Sequence, residues 1–422
     1  MIAKIGSFLK KFRYRFIIFL AILGPGIITA VADNDAGGVA TYTVAASLYG
    51  MASQYMIVFV TLLLGLTQEI GARVAVVTNK GLGSLIRERY GVAISMFVFI
   101  LYFITNQGVV LQNVSGLKSA LQLFNLNWQF YLIFFCLALM YFVVKFNYKK
   151  IQRIFMFIIL FYIAYVISAF LSNPNWKEAI NESFIFPRKI NVIDFRYWFS
   201  LIAVLGTTIT AWGQFFISSY ILDKKMTISQ FKMEKTEIYF GAFLTNFLSW
   251  MMAVAVTYTL FVNKIRVTDG YSAALAMTPL AGKLSSLLFS TGLFAASILG
   301  LTVVPLATAY VFSEMFGFVG SLDADFKRGR LFYIFFIVQI SLALIVTLFP
   351  QTSLFKLTLY ADYLNGAMLP LIFYFLVKFS GDEELMGKYA VKGISRYAII
   401  FASVIITIAV LVTFFGKIFN IG

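Results

Sequence analysis

The 422-residue sequence contains no histidine and a single cysteine, Cys136. These absences exclude disulfide bridges within the chain, zinc sites built from Cys and His, and proton transfer through imidazole. Neither a Ser/His/Asp set nor a glycine-rich phosphate loop can be assembled from the residues present. We therefore expect a protein that is not an enzyme and has no cofactor, and in which any metal ion is held by oxygen atoms.

Charged residues are also scarce, at 12%, whereas hydrophobic types make up 61% and the mean hydropathy is +0.88. This composition excludes a water-soluble domain and predicts an all-α integral membrane protein whose partner is the lipid bilayer. Apolar runs of about 20 residues, the length that crosses the hydrocarbon, recur along the chain. We predict eleven transmembrane helices, near 16–48 (interrupted), 51–77, 92–115, 128–146, 152–172, 196–221 (interrupted), 237–262, 285–315, 331–349, 354–377 and 395–416.

Acidic residues number only 18 against 34 Lys and Arg, which gives a net charge of +16. The basic residues concentrate in alternate connecting segments rather than in one patch, so the charge predicts membrane orientation and not nucleic-acid binding. It places the amino terminus in the cytoplasm and the carboxyl terminus outside, in a multi-pass protein of the plasma membrane. The amino-terminal "MIAKIGSFLKKFRYRF" starts like a signal peptide, but no small-residue cleavage site ends its apolar run, and we expect it to be retained.

Two predicted spans are interrupted, and they lie five spans apart. The first reads "LGPGIITAVADNDAGGVATYTVAASLYG" and the sixth reads "LGTTITAWGQFFISSYILDKK". Paired broken helices in two five-span halves are typical of inverted-repeat transporters with a site at the membrane midplane, where unwound backbone offers carbonyl ligands. We predict a single transporter domain over 1–422, with repeats at about 16–172 and 196–377 and an extra helix at about 395–416.

The first break resembles a signature of the Nramp family of divalent-metal transporters, in which Gly-Pro-Gly is followed by Asp-Pro-Gly-Asn. Here Gly24-Pro25-Gly26 leads to Asp35-Ala36-Gly37-Gly38. "QEIGARVAVVTNKGLGSLIRERYG" is similar to the family's second span and the cytoplasmic loop after it, and "LPLIFYFLVKFSGDEELMGKY" is similar to its tenth span and loop. The resemblance implies a LeuT-type fold with broken helices 1 and 6, and transport of a divalent metal ion.

The ligand positions that this resemblance implies depart from the family's pattern. The metal-binding Asp is kept as Asp35, but its Asn partner falls on Gly38 and the Met of the sixth span falls on Ala211. The glutamine of the tenth span falls on Asp362. Loss of sulfur and gain of a carboxylate favour a hard, partly hydrated ion, Mg²⁺ and/or Mn²⁺, as in the Nramp-related branch associated with magnesium. The candidate metal site comprises Asp35, Asp362, Thr208 through its carbonyl, Gln214, Gly38, Ala211 and Asp33.

Three members of this set have structural alternatives. Asp33 could cap the helix that resumes after the first break, or line the vestibule of the site. Asp362 could pair with a buried Lys or a backbone amide. Gln214 could serve only to satisfy the backbone of the broken sixth helix. For Asp35 the balance favours metal ligation, because a carboxylate inside the membrane beside a pair of glycines is costly and is functional by default.

Two further carboxylates, Glu69 and Glu314, lie near the predicted cytoplasmic ends of their spans. We expect structural or gating ion pairs at both, with Arg73 as a partner of Glu69.

The third span bears on coupling. Proton-coupled members of the family carry Thr-Asp-x-x-Glu there, whereas "FITNQGVVLQN" puts Asn106 and Val109 at the acidic positions. Without histidine, a proton relay in the family's manner cannot be built, and we expect transport that is not proton-coupled. A relay through Glu69 or Asp33 is the alternative.

Two other functional classes fit the fold less well. A cation-coupled symporter of a small organic solute such as an amino acid could use Asp35 for Na⁺ or a substrate amine, because fold alone does not determine function. A membrane sensor or scaffold would have no reason to keep two broken helices with acids. Nothing in the sequence requires a protein partner.

Overall fold

The computed structural model describes residues 24–185, 194–267, 270–349 and 354–418, which contain α-helices and no strand. The bounds of the sixteen α-helices in these residues are α1 Pro25–Ala32, α2 Ala36–Tyr49, α3 Ile57–Thr78, α4 Leu82–Leu123, α5 Trp128–Lys145, α6 Tyr148–Ile159, α7 Ile163–Leu171, α8 Trp176–Phe184, α9 Phe195–Thr208, α10 Ala211–Asp223, α11 Phe231–Val256, α12 Gly270–Phe316, α13 Arg330–Leu348, α14 Leu354–Ser380, α15 Glu383–Met386 and α16 Ile394–Ile418. The predicted all-α membrane fold is confirmed.

Ten helical stretches of the described residues are long and apolar enough to cross a membrane. They correspond to the second through the eleventh predicted spans. The first predicted span is represented by α1 and α2, and its beginning at 16–23 lies outside the described residues. The protein is therefore a multi-pass membrane protein, and the count of eleven stays a prediction.

Both predicted interruptions are present, and both are built in the same way. After α1, Asp35 adopts an extended conformation and its Oδ1 accepts a hydrogen bond from Gly38 N at 3.1 Å. After α9, Thr210 is extended and its Oγ1 accepts from Gly213 N at 2.9 Å. Each break therefore restarts its helix through a side-chain N-cap, which satisfies a backbone donor that the break leaves unpaired.

The tenth span approaches the sixth span more closely than any side chain would allow. A Cβ atom at Gly206 of α9 would stand 2.2 Å from the carbonyl oxygen of Asp362 and 2.6 Å from the backbone nitrogen of Gly366, both on α14. Since these contacts are to backbone, glycine at 206 is what lets α14 bring Asp362 against the broken sixth span.

Several of the basic connecting segments meet at one end of the helix bundle. Arg87 Nη1 donates to the carbonyl of Met315 at 2.9 Å, and Arg89 pairs with Asp382 at 3.2 Å. Lys225 lies 3.5 Å from Asp323, whose other carboxylate oxygen accepts from the backbone of the 145–153 segment, at Tyr148, over 3.2 Å. We call this end, formed by the segments at 80–91, 145–153, 223–237, 314–330 and 378–396, the basic end.

One connection differs from the sequence prediction. Residues 82–90, which were expected to be a loop, are helical and continue into α4 through a kink at Gly91, whose φ of 78° favours glycine. Leu82, Leu85 and Ile86 are buried, so this stretch is an amphipathic arm at the basic end. α12 likewise begins earlier than predicted, at Gly270 rather than near 285.

Candidate metal site at the two helix breaks

Asp35 is buried at the first break and is held by the third span. Its Oδ2 accepts a hydrogen bond from Asn113 Nδ2 at 2.6 Å, while Asn113 Oδ1 accepts from the backbone of Ala36 at 3.1 Å. Asn113 thus binds both the carboxylate of Asp35 and the backbone N–H of Ala36, where α2 begins. The hydroxyl of Tyr162, at the helical irregularity of the fifth span, donates to the carbonyl of Asn34 at 3.0 Å. The unwound segment is consequently fixed by two neighbouring spans.

Asp33 ends α1 and connects the two breaks. Its Oδ1 accepts from Thr210 Oγ1 at 2.5 Å, and its Oδ2 accepts from Gln68 Nε2 of α3 at 3.2 Å. The expectation that Asp33 could cap the resumed helix is wrong, because that role belongs to Asp35. The physical reason is spacing: a cap bonds the backbone N–H two or three residues ahead, and Gly38 lies three residues after Asp35.

Asp362 is buried on α14 and accepts hydrogen bonds from Thr41 Oγ1 and, at 3.2 Å, from Gln112 Nε2. The partners of Asp362 are therefore a hydroxyl and a side-chain amide, and not the buried Lys or backbone amide that was the alternative. The position that a Cβ of Gly37 would occupy lies 2.5 Å from Gln112 Oε1 and 3.1 Å from Asp35 Oδ1. The amide of Gln112 is therefore bonded to Asp362 and, like Asp35, lies against the backbone of Gly37.

Glycines at the breaks allow oxygen atoms to approach the backbone closely. A Cβ at Gly38 would stand 3.2 Å from each of three oxygens, namely Asn34 Oδ1, the carbonyl of Asp33 and Thr207 Oγ1. A Cβ at Gly213 would stand 2.8 Å from Asp33 Oδ1 and also from Thr210 Oγ1. Gly38 contributes no side-chain ligand, but its lack of a side chain keeps hydroxyl, amide and backbone oxygens of both breaks close together.

The backbone also offers carbonyl oxygens at the two breaks. α1 and α9 both end at the site, at Ala32 and Thr208, and the last turn of a helix leaves carbonyl oxygens without an intrahelical partner at its negative dipole end. The hydroxyl of Thr208 is already used, since it donates to Val204 O at 2.6 Å and lies 2.5 Å from Tyr42 Oη. The carbonyl of Thr208 is therefore the atom of this residue that suits a cation.

The two remaining predicted positions, Ala211 and Gln214, both lie in α10 and are fully buried. Ala211 offers only a methyl group. Both side-chain polar atoms of Gln214 lack a hydrogen-bond partner, and so do both of Asn34. The alternative that Gln214 hydrogen-bonds to the free backbone groups of the broken sixth helix is thus not supported. The side-chain amides of Gln214 and Asn34 are both buried with unused donors and acceptors. Leaving such a group unpaired costs about 1–3 kcal/mol.

The charge of the site is unbalanced. Asp33, Asp35 and Asp362 are each at most 3% exposed, and the ion pairs found in the described part of the chain include none of them. In those same residues, no three carboxylate, thiol or imidazole side chains converge closely enough to hold a metal by themselves. A cation there would draw on one or two carboxylates and complete its shell with amide, hydroxyl, carbonyl and water oxygens.

Sequence reasoning missed the residues that orient the acids, namely Gln68, Gln112, Asn113 and Thr41. A signal for two of them was present, because Gln112 and Asn113 are adjacent amides that interrupt an apolar run within the third span. Polar side chains at such depth face the bundle interior or one another.

Of the two ion pairs expected at Glu69 and Glu314, the structure contains the first and not the second. Glu69 pairs with Arg73 at 2.5 Å, as predicted. Glu314 is not in an ion pair in the described part of the chain: it accepts from Ser219 Oγ at 2.5 Å and from Gly83 N at 2.9 Å. Glu314 therefore connects α10 and the 80–91 segment through neutral donors rather than through a cation.

Proton-coupled members of the family carry two acids in the third span, and neither of the corresponding positions here has a titratable side chain. Asn106 is buried and donates to Thr308 Oγ1 at 2.9 Å, and Val109 is buried in the apolar core.

Known proteins resemble this chain over nearly its whole length. It is 23% identical over 392 residues to the divalent metal cation transporter MntH of Staphylococcus haemolyticus, covering 89% of this chain and 87% of that protein. It is 22% identical over 408 residues to MntH of Latilactobacillus sakei, with 92% and 88% covered.

Solved structures share the fold. The Eremococcus coleocola manganese transporter, in complex with an aromatic bis-isothiourea compound, superposes with a TM-score of 0.72 at 16% identity, covering 94% of this chain and 87% of that one. Mhp1, a nucleobase-cation-symport-1 family transporter in a closed conformation, reaches 0.52 at 15% identity, with 93% and 90% covered. The LeuT-type fold is confirmed by these likenesses. The model of the family described as natural resistance-associated macrophage protein-like matches residues 26–416, so the chain belongs to the Nramp family.

Proposed function

We propose that this chain is a secondary transporter that carries divalent metal ions across the plasma membrane by alternating access. Nramp proteins are transporters and not enzymes, and they use no cofactor, since the metal is the transported substrate. The observation that carries the proposal is that three carboxylates are buried with no Lys or Arg paired to them in the described part of the chain. Asp33 and Asp35 lie at the first helix break, and Asp362 lies on α14, which packs against the sixth span.

A dication entering a low-dielectric cavity needs formal negative charge, and these residues supply it where carbonyl and amide oxygens are also at hand. We assign Asp35 and Asp362 as the principal ligands, joined by the carbonyl of Thr208 and the amide of Gln214. Asp33 bonds Thr210 and Gln68, so we assign it the role of fixing the two breaks together.

The proposed preference is for hard ions, Mg²⁺ and/or Mn²⁺. The support is that the acceptor atoms described at the breaks are carboxylate, amide, hydroxyl and carbonyl oxygens, and that Ala211 provides no thioether. Mg²⁺ in particular keeps several waters and is usually bound through one or two carboxylates, which suits a site where three acids do not converge.

The proposed organisation is a single transporter domain with inverted repeats at about 16–172 and 196–377. Its amino terminus and the basic end face the cytoplasm, and its carboxyl terminus lies outside. The meeting of basic segments at one end of the bundle supports this orientation.

The test is uptake by proteoliposomes, paired with calorimetric titration of the purified protein. We expect Mg²⁺ and Mn²⁺ to bind and to enter, and a panel of amino acids to do neither. Uptake of an amino acid with no response to metal ions would instead favour an organic-solute symporter. The same fold is found in Mhp1, a nucleobase-cation-symport-1 family transporter.

Asp35→Ala provides the variant for this test, with the exposed Glu384→Ala as its matched control. We expect the first to abolish metal uptake while eluting as a folded protein, and the second to transport like the wild type. Near wild-type flux in Asp35→Ala would remove this residue from the site.

A further inference from the structure

A second candidate binding site lies at the basic end of the helix bundle. A cavity of about 190 Å³ opens between the end of α14 and the start of α16. Its lining is made of Tyr374, Val377, Lys378, Gly381, Asp382 and Arg396. This cavity shares no residue with the metal site.

The cavity carries net positive charge. Lys378 and Arg396 are exposed and belong to no ion pair found in the described part of the chain. The single carboxylate of the lining, Asp382, is engaged elsewhere: it pairs with Arg89 at 3.2 Å and accepts from two backbone N–H groups, those of Glu384 at 3.1 Å and Leu385 at 3.2 Å. The two cations of the lining are thus left to attract an anion.

Arg396 has a defined position in the cavity. A Cβ at Gly381 would stand 3.1 Å from the guanidinium carbon of Arg396, so the planar group packs directly against this glycine. A planar guanidinium held in this way presents paired N–H donors, which match phosphate oxygens better than a mobile ammonium does.

The helix that carries Arg396 continues into an exposed apolar surface suited to acyl chains. Tyr397, Phe401 and Val404 follow one another on a single face of α16, and they are 71%, 62% and 51% exposed. Only 17% of the apolar stretch Ile394–Val412 is buried within the protein. An apolar face that runs into the membrane from a cationic cavity at its boundary fits a molecule with an anionic head and a hydrocarbon tail.

We propose that this cavity binds the phosphate headgroup of an anionic phospholipid, whose acyl chain lies along the exposed face of α16. A zwitterionic lipid is a poorer ligand, because its headgroup cation would meet Lys378 and Arg396. Inorganic phosphate is also a poorer ligand, because it would leave the apolar face uncovered. The bound lipid would connect α14, which carries Asp362, to the last helix.

Native mass spectrometry of the full chain can count retained lipids after delipidation and titration with phosphatidylglycerol or phosphatidylcholine. We expect the protein to retain phosphatidylglycerol, and the double variant Lys378→Gln/Arg396→Gln to bind it about 30-fold more weakly, corresponding to about 2 kcal/mol for two basic residues at a membrane surface. The matched control is Lys149→Gln/Arg153→Gln, which removes two exposed cations from the same end and should bind like the wild type.

Three outcomes would overturn the assignment. One is unchanged phosphatidylglycerol binding in the Lys378/Arg396 variant. Another is an equal loss in the Lys149/Arg153 control, which would show a diffuse surface effect. The third is competition by millimolar inorganic phosphate that removes the lipid completely, since that would mean the headgroup alone accounts for binding. Because the readout is lipid binding, each outcome is independent of whether the protein transports metal.

Discussion

The hydroxyl of Thr210 donates a hydrogen bond to Asp33 Oδ1 over 2.5 Å and thereby joins the break in the sixth span to the break in the first. The same hydroxyl accepts from Gly213 N at 2.9 Å, as the cap of α10. One side chain therefore starts a half-helix and fixes its position relative to the other unwound segment. Geometry at the proposed metal site depends on this link, because both breaks supply its oxygens.

Thr210→Val should weaken transport by at least about 10-fold and lower the melting temperature. Valine keeps the shape but removes the cap, a loss of about 0.5–2 kcal/mol, and leaves one oxygen of Asp33 without a donor. Metal uptake and thermal unfolding in detergent check both effects. Thr210→Ser retains the hydroxyl and should behave nearly like the wild type; equal damage in both variants would locate the effect in packing instead of the hydrogen bond.

The close approach of α9 and α14 gives a second prediction. Gly206→Ala should destabilise the protein by about 1–3 kcal/mol or more and reduce metal binding, because its methyl would collide with the backbone at Asp362 and Gly366. Gly71→Ala is the matched control. Gly71 lies within α3, and a Cβ there would stand 3.4 Å from its nearest neighbour, Ile217 Cγ2, which is an ordinary van der Waals contact.

Thermal unfolding and calorimetric titration distinguish these two glycines. Since alanine favours a helix over glycine, Gly71→Ala should be neutral or stabilising. If Gly206→Ala unfolded and bound metal like the wild type, the packing of Asp362 against the sixth span would not matter for the site.

The sequence was sufficient for features that depend on local composition, and less so for those that depend on packing. Both helix breaks were predicted, because Gly, Pro and Asp within apolar runs are local signals. Asp362 was reached only by alignment to the family. Leu82–Tyr90 was missed as a helix, since its amphipathic pattern is short and includes several charges.

The partners of the acids depended on packing most of all. The partners of Gln68 and Gln112 could not be predicted, because nothing in the local sequence indicates which carboxylate an amide in the middle of a span will contact. Their roles follow from the rotation and register of α3 and α4 against the breaks, which are set by the whole bundle.

Ala211 offers a test of ion selectivity. Ala211→Met would place a thioether at the position that aligns with the family's methionine, and competition by Cd²⁺ against Mn²⁺ or Mg²⁺ should become stronger. The site of Ala211 is fully buried, so the larger side chain is also expected to cost about 1–3 kcal/mol of stability. Ala211→Leu has a similar volume without sulfur and should show the stability cost alone. Identical Cd²⁺ competition in the two variants would count against the alignment of the sixth span.

The start of α1 provides a prediction about opening at the basic end. Glu237 Oε1 accepts from Gly24 N at 2.6 Å and from Ile27 N at 3.2 Å, so a carboxylate of α11 holds the amino-terminal end of the first half-helix. Lys224 lies 3.6 Å from Glu237 Oε2. Because two backbone N–H groups of the first turn share Glu237 Oε1 as their acceptor, and an amide side chain has only one oxygen and adds an NH₂ donor, Glu237→Gln should loosen α1.

Cysteine labelling can measure that loosening. The only native thiol is removed by Cys136→Ser, and Thr29→Cys places a new one on the buried face of α1. Glu237→Gln should raise the rate of maleimide labelling by about 10-fold, the effect of losing about 1.4 kcal/mol. Glu234→Gln shares the contact to Lys224, at 3.0 Å, but not the contact to Gly24, and should leave the rate unchanged. A faster rate in both variants would assign the effect to Lys224.

The third span determines whether transport is coupled to protons. Asn106 is hydrogen-bonded to Thr308, Val109 is apolar, and the chain has no histidine, so no titratable group occupies the family's relay positions. Entry does not require a proton gradient, because an inside-negative potential favours a dication by about 4.6 kcal/mol per 100 mV. We expect metal uptake that follows voltage without stoichiometric proton movement.

Proteoliposomes can test whether protons move with the metal. They are loaded with a pH dye, given a metal gradient and clamped with potassium and valinomycin. Internal acidification that tracks metal entry and is absent from empty liposomes would contradict this expectation. Loss of that acidification in Glu69→Gln, with metal entry retained, would then identify Glu69 as the group that carries the proton.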